Sequence, residues 1–325
     1  MIDISAIEPP IYKNANAILQ YNGLYFSWSS RVSGYTSGGS PGTGDIIDKF
    51  PFSSDGNATD VGNLATPRSS LAGQSSTESG YASGGNPVSS PIYLSTIEKF
   101  PFATDGNAGA IGNLTQARQG PAGQSSATHG YSSAGLFQSP TPPTLTYGNT
   151  IDKFPFSADG NATDVGDTTD IRRSSGAGQN SLTHGYFSGG GVPTKNIIDR
   201  FPFATDANAS DVGNLTQARY YVAGQSSDVS GYTAGGDNGG FPSISNIIDK
   251  FPFASNANAT DVGDLDLTQS VESSAGQSSS ISGYVSGGLF SNVIQKFPFA
   301  TDANATDVGD LTQARGSTAG QQSSS

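Results

Sequence analysis

Oxygen-rich turns recur along this chain at a spacing that suits a hard cation. In Thr301-Asp302-Ala303-Asn304-Ala305-Thr306-Asp307, and in Ser54-Asp55-Gly56-Asn57-Ala58-Thr59-Asp60, carboxylate and amide oxygens fall at alternate positions. Calcium loops place their ligands in this way. The turns lack the invariant glycine and the closing bidentate glutamate of an EF-hand, and Asn256 replaces the first aspartate in one copy. Weak calcium binding is the most they promise; a hairpin turn with an acid solvating a strand end is the simpler reading, and no cofactor is expected. His129 and His184 both stand directly before a Gly-Tyr step in adjacent repeats. A paired metal site is one reading, but Ser33, Ser79, Ser230 and Ser282 fill the same slot elsewhere, as at a tolerant polar turn position. The chain has no cysteine nucleophile and no G-x-S-x-G elbow, and neither histidine has an evident triad partner. The reading is therefore non-enzymatic. Lys49, Lys99, Lys153, Arg200, Lys250 and Lys296 each precede a Phe-Pro-Phe step, with an acid before them in five of the six copies. They suit a cationic rim or, more simply, a structural ion pair.

The elements that hold these residues are set by a repeat. Phe-Pro-Phe starts at Phe50, Phe100, Phe154, Phe201, Phe251 and Phe297, so one unit of about 50 residues is arrayed six times. Aligning the copies gives four short segments: A-G-Q-S-S, then G-Y-x-[SA]-[GA]-G, then [IV]-I-D-K-F-P-F, then A-T-D-V-G-[ND]-L. None has a helical apolar period, and each is bounded by Gly, Asn, Asp or Pro, as strands joined by turns are. Four antiparallel strands per unit, six times over, predict a β-propeller; the coils of a β-solenoid are shorter than this period.

Only 13% of residues are charged, the net charge is −12, and the acids spread through all repeats. Without a basic stripe, a nucleic-acid partner is not expected. No apolar run is long enough to span a bilayer, and the N-terminus shows no export signal, so membrane insertion is not expected either.

The unit resembles the kelch repeat. The Gly-Gly pair that ends a kelch second strand corresponds to Gly38–Gly39, Gly84–Gly85, Gly189–Gly190, Gly235–Gly236 and Gly287–Gly288. The third-strand aromatic corresponds to Phe52, Phe102, Phe156, Phe203, Phe253 and Phe299, and the arginine before the next blade to Arg68, Arg118, Arg172 or Arg173, Arg219 and Arg315. The chain departs from the pattern at Ala134–Gly135, at Ser270 in place of an arginine, and in lacking the fourth-strand tryptophan. The resemblance implies an all-β, six-bladed kelch-like propeller over residues 26–325, with Phe52 and its equivalents buried between blades. The galactose-oxidase chemistry known on such propellers needs a Cys-crosslinked tyrosine, which this chain cannot form. At the C-terminus, Ala319-Gly320-Gln321-Gln322-Ser323 reads as a first strand with no second strand after it. It is expected to complete the first blade and close the ring; the other reading puts Phe26–Ser30 in that slot.

Near-identical blades, a Gly/Ser/Thr/Asn-rich composition and phrases such as Phe297–Arg315 also resemble predicted structural proteins of bacteriophages of aquatic bacteria. That resemblance implies a virion-surface fibre, spike or decoration that binds neighbouring virion proteins or host surface glycans. A cellular kelch-like adaptor or lectin is the other reading. The loops between second and third strands vary most, and their apolar residues Ile92, Tyr93, Leu94, Leu136, Phe137, Tyr147 and Phe241 are the candidate contacts. Residues 1–25, with Ile2, Ile4, Ile7 and Ile11, fall outside the repeat and are read as an arm that anchors the propeller to an assembly.

Overall fold

Short runs of Gly, Ser and β-branched residues, cut by turn formers, leave the chain no alternative to strands. The computed structural model describes residues 31–89, 92–138, 145–171, 176–191, 193–240, 243–267 and 272–324, and the backbone of Ile18–Tyr21 and Leu24–Ser27. Among these residues there is no helix. Six four-stranded antiparallel blades form a propeller. From the inside outwards, the first blade consists of Ala319–Ser324, Arg31–Ser37, Ile46–Pro51 and Thr59–Asn63. The second is Ala72–Ser75, Ser79–Ser83, Thr96–Pro101 and Gly109–Asn113; the third is Ala122–Ser125, His129–Gln138, Leu145–Pro155 and Thr163–Asp167. The fourth is Ala177–Asn180, His184–Ser188, Ile197–Pro202 and Ser210–Asn214; the fifth is Ala223–Ser226, Ser230–Ala234, Ile247–Pro252 and Thr260–Asp264. The sixth is Ala275–Ser278, Ser282–Gly288, Ser291–Pro298 and Thr306–Asp310.

The C-terminal strand thus closes the first blade, with Gln321 opposite Tyr35. Phe26 and Ser27 are not in that blade: they pair with Leu19 and Ile18 in a separate hairpin, and the bladed chain starts at Arg31. Ile2, Ile4, Ile7 and Ile11 lie outside the described residues. Because successive strands reverse direction, the linkers between blades share one face with the second-to-third-strand loops. We call this the loop face. The remaining turns lie on the opposite face.

The centre of the ring is made of glycine. The middle residues of the A-G-Q segments, Gly73, Gly123, Gly178, Gly224, Gly276 and Gly320, abut in sequence around the axis. A Cβ on Gly123 would lie 2.1 Å from the Gly73 carbonyl oxygen, and one on Gly73 would lie 2.3 Å from that of Gly320. Any side chain here would push backbone against backbone. Gly123→Ala should therefore cost about 1–3 kcal/mol through overpacking, to be read from urea denaturation; an unchanged midpoint would show that the axis can widen freely.

Polar side chains then stitch each blade to the next. The six buried glutamines of the inner strands donate to the main-chain carbonyl of the next blade's second-strand tyrosine: Gln74 to Tyr131, Gln124 to Tyr186, Gln179 to Tyr232, Gln225 to Tyr284, Gln277 to Tyr35 and Gln321 to Tyr81. All six bonds measure 2.9–3.0 Å. The same tyrosines carry the apolar contact. The second phenylalanine of each Phe-Pro-Phe lies against the preceding blade's tyrosine, as Phe52 does on Tyr284 with centroids 4.6 Å apart and Phe156 on Tyr81 at 4.7 Å. These phenylalanines are between blades as expected, but only Phe102 is fully buried; its equivalents are half-buried. The deepest ring is the first phenylalanine, Phe50 and its five equivalents, at 0–1% exposure. It fills the space under the Gly-Tyr glycine: a Cβ on Gly34 would fall 2.4 Å from the Phe50 ring.

Candidate functional site

The residues that look most chemical in the sequence are engaged in blade-to-blade contacts. Lys49 pairs with Asp105 at 2.9 Å, Lys99 with Asp159 at 3.2 Å, Lys153 with Asp206 at 2.7 Å, Lys250 with Asp302 at 3.0 Å and Lys296 with Asp55 at 2.9 Å. Each lysine belongs to one blade and each aspartate to the oxygen-rich turn of the next. The sixth link is Arg200 to Asn256, where both partners have changed together. In the same turns the asparagine Oδ1 accepts a main-chain N–H from the preceding blade, as Asn107 does from Asn63 at 2.9 Å and Asn57 from Asp310 at 3.0 Å. The last aspartate caps its own strand, Asp60 accepting from Gly62 N–H at 3.1 Å. Such exposed pairs are worth about 0–1 kcal/mol each, so they set register around the ring more than they stabilise it. Among the described residues no group of three or more His, Asp or Glu is placed to hold a metal ion.

The acid before each lysine has a different job. Asp48, Glu98, Asp152 and Asp249 are fully buried and face the arginine of the preceding linker. Arg315 meets Asp48 at 2.9 Å, Arg118 meets Asp152 at 2.6 Å, Arg219 meets Asp249 at 2.6 Å, and Arg68 pairs with Glu98. The guanidinium also donates to strand carbonyls of the blade it enters: Arg68 Nη1 reaches Gly84 at 2.9 Å and Thr96 at 3.0 Å. The arginine's own carbonyl accepts an N–H from the preceding blade's Gly-Gly pair, as Arg68 does from Gly39 at 2.9 Å. That geometry holds both glycines at positive φ, 68° and 114° for Gly38 and Gly39, which is why the pair recurs. Burial pulls the Arg118 guanidinium down to about 10 even beside Asp152. It remains a cation, and a structural one. At the fifth-to-sixth junction, counting back from the A-G-Q alanine as in the other linkers puts Val271, not Ser270, at the arginine position; the acid position holds Gln295, whose Oε1 accepts the Asp266 N–H at 2.7 Å.

The two histidines sit on the face opposite the loops. Each makes a hydrogen bond through Nδ1 with the preceding threonine, at 2.9 Å to Thr128 and 2.8 Å to Thr183. Burial, then the Lys153 charge, lowers the pKa of His129, and burial, then Arg200, lowers that of His184.

The loop face is where the array stops being regular. In the third blade the long insertion extends the hairpin itself: Leu136 pairs with Tyr147 and Phe137 with Thr146. Leu136 and Phe137 are consequently buried, Phe137 under the Arg118 guanidinium at 4.4 Å. This corrects their expected place on a contact surface: Leu136 and Phe137 are covered, and the exposed apolar side chains of the hairpin are Leu145 (58% exposed) and Tyr147 (39%). The neighbouring loop of the second blade joins them, Tyr93 donating its N–H to Gln138 Oε1 at 2.8 Å. Ile92 is exposed there, and Tyr93 and Leu94 are half-buried. The two loops make one apolar ridge from Ile92 to Tyr147. Phe241 lies outside the described residues. Leu289 and Phe290, in the short second-to-third-strand turn of the sixth blade, are also exposed and were not among the candidate contacts.

The chain is a six-bladed β-propeller whose repeated polar residues bind blade to blade and whose most irregular loops lie on one face. Neither the known protein-family models nor the characterised proteins compared with this chain match it.

Proposed function

We propose that this chain is a non-enzymatic structural or adhesion protein of a virion surface, a fibre, spike or decoration, whose kelch-like propeller binds virion proteins or host glycans through its loop face. The observation that carries the reading is the Ile92–Tyr147 ridge. Two adjacent blades join their loops there through the Tyr93–Gln138 hydrogen bond, with Ile92, Leu145 and Tyr147 exposed beside it. A preorganised ridge loses little entropy on binding, so a few apolar side chains supply most of the affinity. The contacts of Arg68, Arg219 and Arg315 with Gly-Gly pairs support the kelch-like description, and the repeated phrases support the phage one. In the same reading residues 1–25, with Ile2, Ile4, Ile7 and Ile11, anchor the propeller on the particle, and neither nucleic acid nor a membrane is a partner.

The test is attachment and location. Antibody against the propeller should decorate phage particles in immunogold microscopy, and free protein should compete with those particles for host cells. Ile92→Ser with Leu145→Ser and Tyr147→Ser should cut that competition at least about tenfold, which is 1.4 kcal/mol, without lowering the melting temperature. Unlabelled particles would overturn the virion placement; full competition by the triple variant would make the ridge passive.

A further inference from the structure

The linkers between blades share one backbone path, and one of them carries a different chemistry. Two residues before the alanine of each blade's A-G-Q strand the chain is left-handed in every described copy. Ser70, Tyr221, Ser273 and Ser317 have φ of 54°, 57°, 59° and 54°, and Gly120 has 61°. These residues form an arc on the loop face through main-chain atoms alone: Gly120 N–H donates to the Ser70 carbonyl at 2.6 Å, Ser70 to Ser317 at 2.7 Å, Ser317 to Ser273 at 2.6 Å and Ser273 to Tyr221 at 3.0 Å. Serine or glycine is enough for that bond. A bulky aromatic in left-handed backbone is strained, so the fold gains nothing from tyrosine at 221.

Tyr220 beside it stands where the other described linkers have Ser69, Gln119, Glu272 and Gly316. The two tyrosine rings are 4.7 Å apart by centroid and inclined at 46°, and both residues are half-buried. Two carboxylates adjoin them. Asp237, in the fifth blade's loop, exchanges both main-chain hydrogen bonds with Tyr220, at 3.0 and 2.8 Å. Glu272, in the next linker, has its own carbonyl bonded to the N–H of Leu289, in the exposed turn that carries Phe290. Burial, then the Asp237 charge, pushes the Glu272 carboxyl above its usual range, and burial, then Asp237, raises the Tyr220 phenol. Neither Glu272 nor Asp237 is in a salt bridge among the described residues.

We propose that Tyr220, Tyr221, Asp237 and Glu272 form a binding site for a neutral saccharide. A pyranose offers an apolar C–H face for aromatic rings and hydroxyl donors at its edge for carboxylates, the mixed lining that orients a small ligand. Two acids in a protein of net charge −12 repel sialic or uronic acids, so the class selected is uncharged. The inference rests on the loop face being the binding face, but not on the ridge.

The array itself supplies the control. Tyr220→Ser with Tyr221→Ser rewrites this linker as Arg-Ser-Ser, the sequence already used at Arg68-Ser69-Ser70, and should leave the melting temperature unchanged or higher. The full chain is screened by saturation-transfer NMR and calorimetry against neutral hexose and N-acetylhexosamine oligosaccharides, with sialylated and uronic-acid oligosaccharides as the anionic arm. Binding of a neutral saccharide is expected, weakened about tenfold or more in the double tyrosine variant, weakened by Glu272→Gln, and retained in the Ile92/Leu145/Tyr147 triple variant. The proposal is overturned if no neutral saccharide binds, if the double tyrosine variant binds as well as the parent, if anionic saccharides are preferred, or if a chelator abolishes the signal. Cell attachment through the ridge without any saccharide binding would sink this site and leave the proposed function standing.

Discussion

Deleting residues 319–325 should destabilise the whole ring, by on the order of 5 kcal/mol or 10 °C in melting temperature. The segment is short, but it carries two blade junctions at once. Gln321 supplies the only glutamine link from the first blade to the second, at 3.0 Å to the Tyr81 carbonyl, and bonds Ser37 Oγ at 2.9 Å within its own blade. Gln322 accepts the Ser278 N–H from the sixth blade and donates its own N–H to Ser75 in the second. Gly320 is a member of the axial glycine ring, and Ala319 is buried in the core. Without them Arg31–Ser37 becomes an unpaired inner edge, open to pairing between molecules. Thermal melts and size-exclusion chromatography should show a lower transition and higher oligomers, with a synthetic peptide of residues 316–325 restoring part of the loss. A truncated chain that melts with the parent and stays monomeric would mean that the other interfaces close the ring without this strand.

Closure was legible because the tail repeats a known phrase: A-G-Q at 319–321 matches five internal copies, and its second strand can only be the orphan at Gly34. The depth of the phenylalanines was not. Phe50 and Phe52 are two apart on one strand and so share a face, and both touch Tyr284. Phe50 lies within the strand and Phe52 just past its end at Pro51, and the depth of the second phenylalanine varies from blade to blade, Phe102 being buried and Phe52 half-buried. The oxygen-rich turns misled for another reason. Their alternation is local, whereas the partners that use the oxygens, such as Lys49 for Asp105, come from the neighbouring blade. Loop length was equally ambiguous, since the third blade spends its insertion on a longer hairpin that buries Leu136 and Phe137. Tyr220 and Tyr221 were present in the alignment as departures, but only the left-handed backbone shows that they are costly ones.

The array also contains a ready-made test of its buried charges. Glu98 accepts N–H donors from Ala65 at 2.8 Å and Thr66 at 3.0 Å while pairing with Arg68, and both side chains of the pair are sealed from water. At the matching place in the sixth blade Gln295 accepts the Asp266 N–H, and the sequence has uncharged Val271 where the arginine would be. Acid and base have been lost together, as expected if a buried charge without its partner is the expensive state. Arg68→Ser alone should therefore cost about 3–5 kcal/mol, because it strands the Glu98 carboxylate. Glu98→Gln alone should cost a similar amount by stranding the guanidinium. Adding Glu98→Gln to Arg68→Ser converts this junction to the chemistry of the fifth-to-sixth one and should regain about 2 kcal/mol, a second substitution that stabilises the first. Urea denaturation of the four proteins measures the cycle. If the second change instead lowers stability further, the coupling of Val271 with Gln295 is not a charge balance, and the arginines hold the blades through their carbonyl contacts alone.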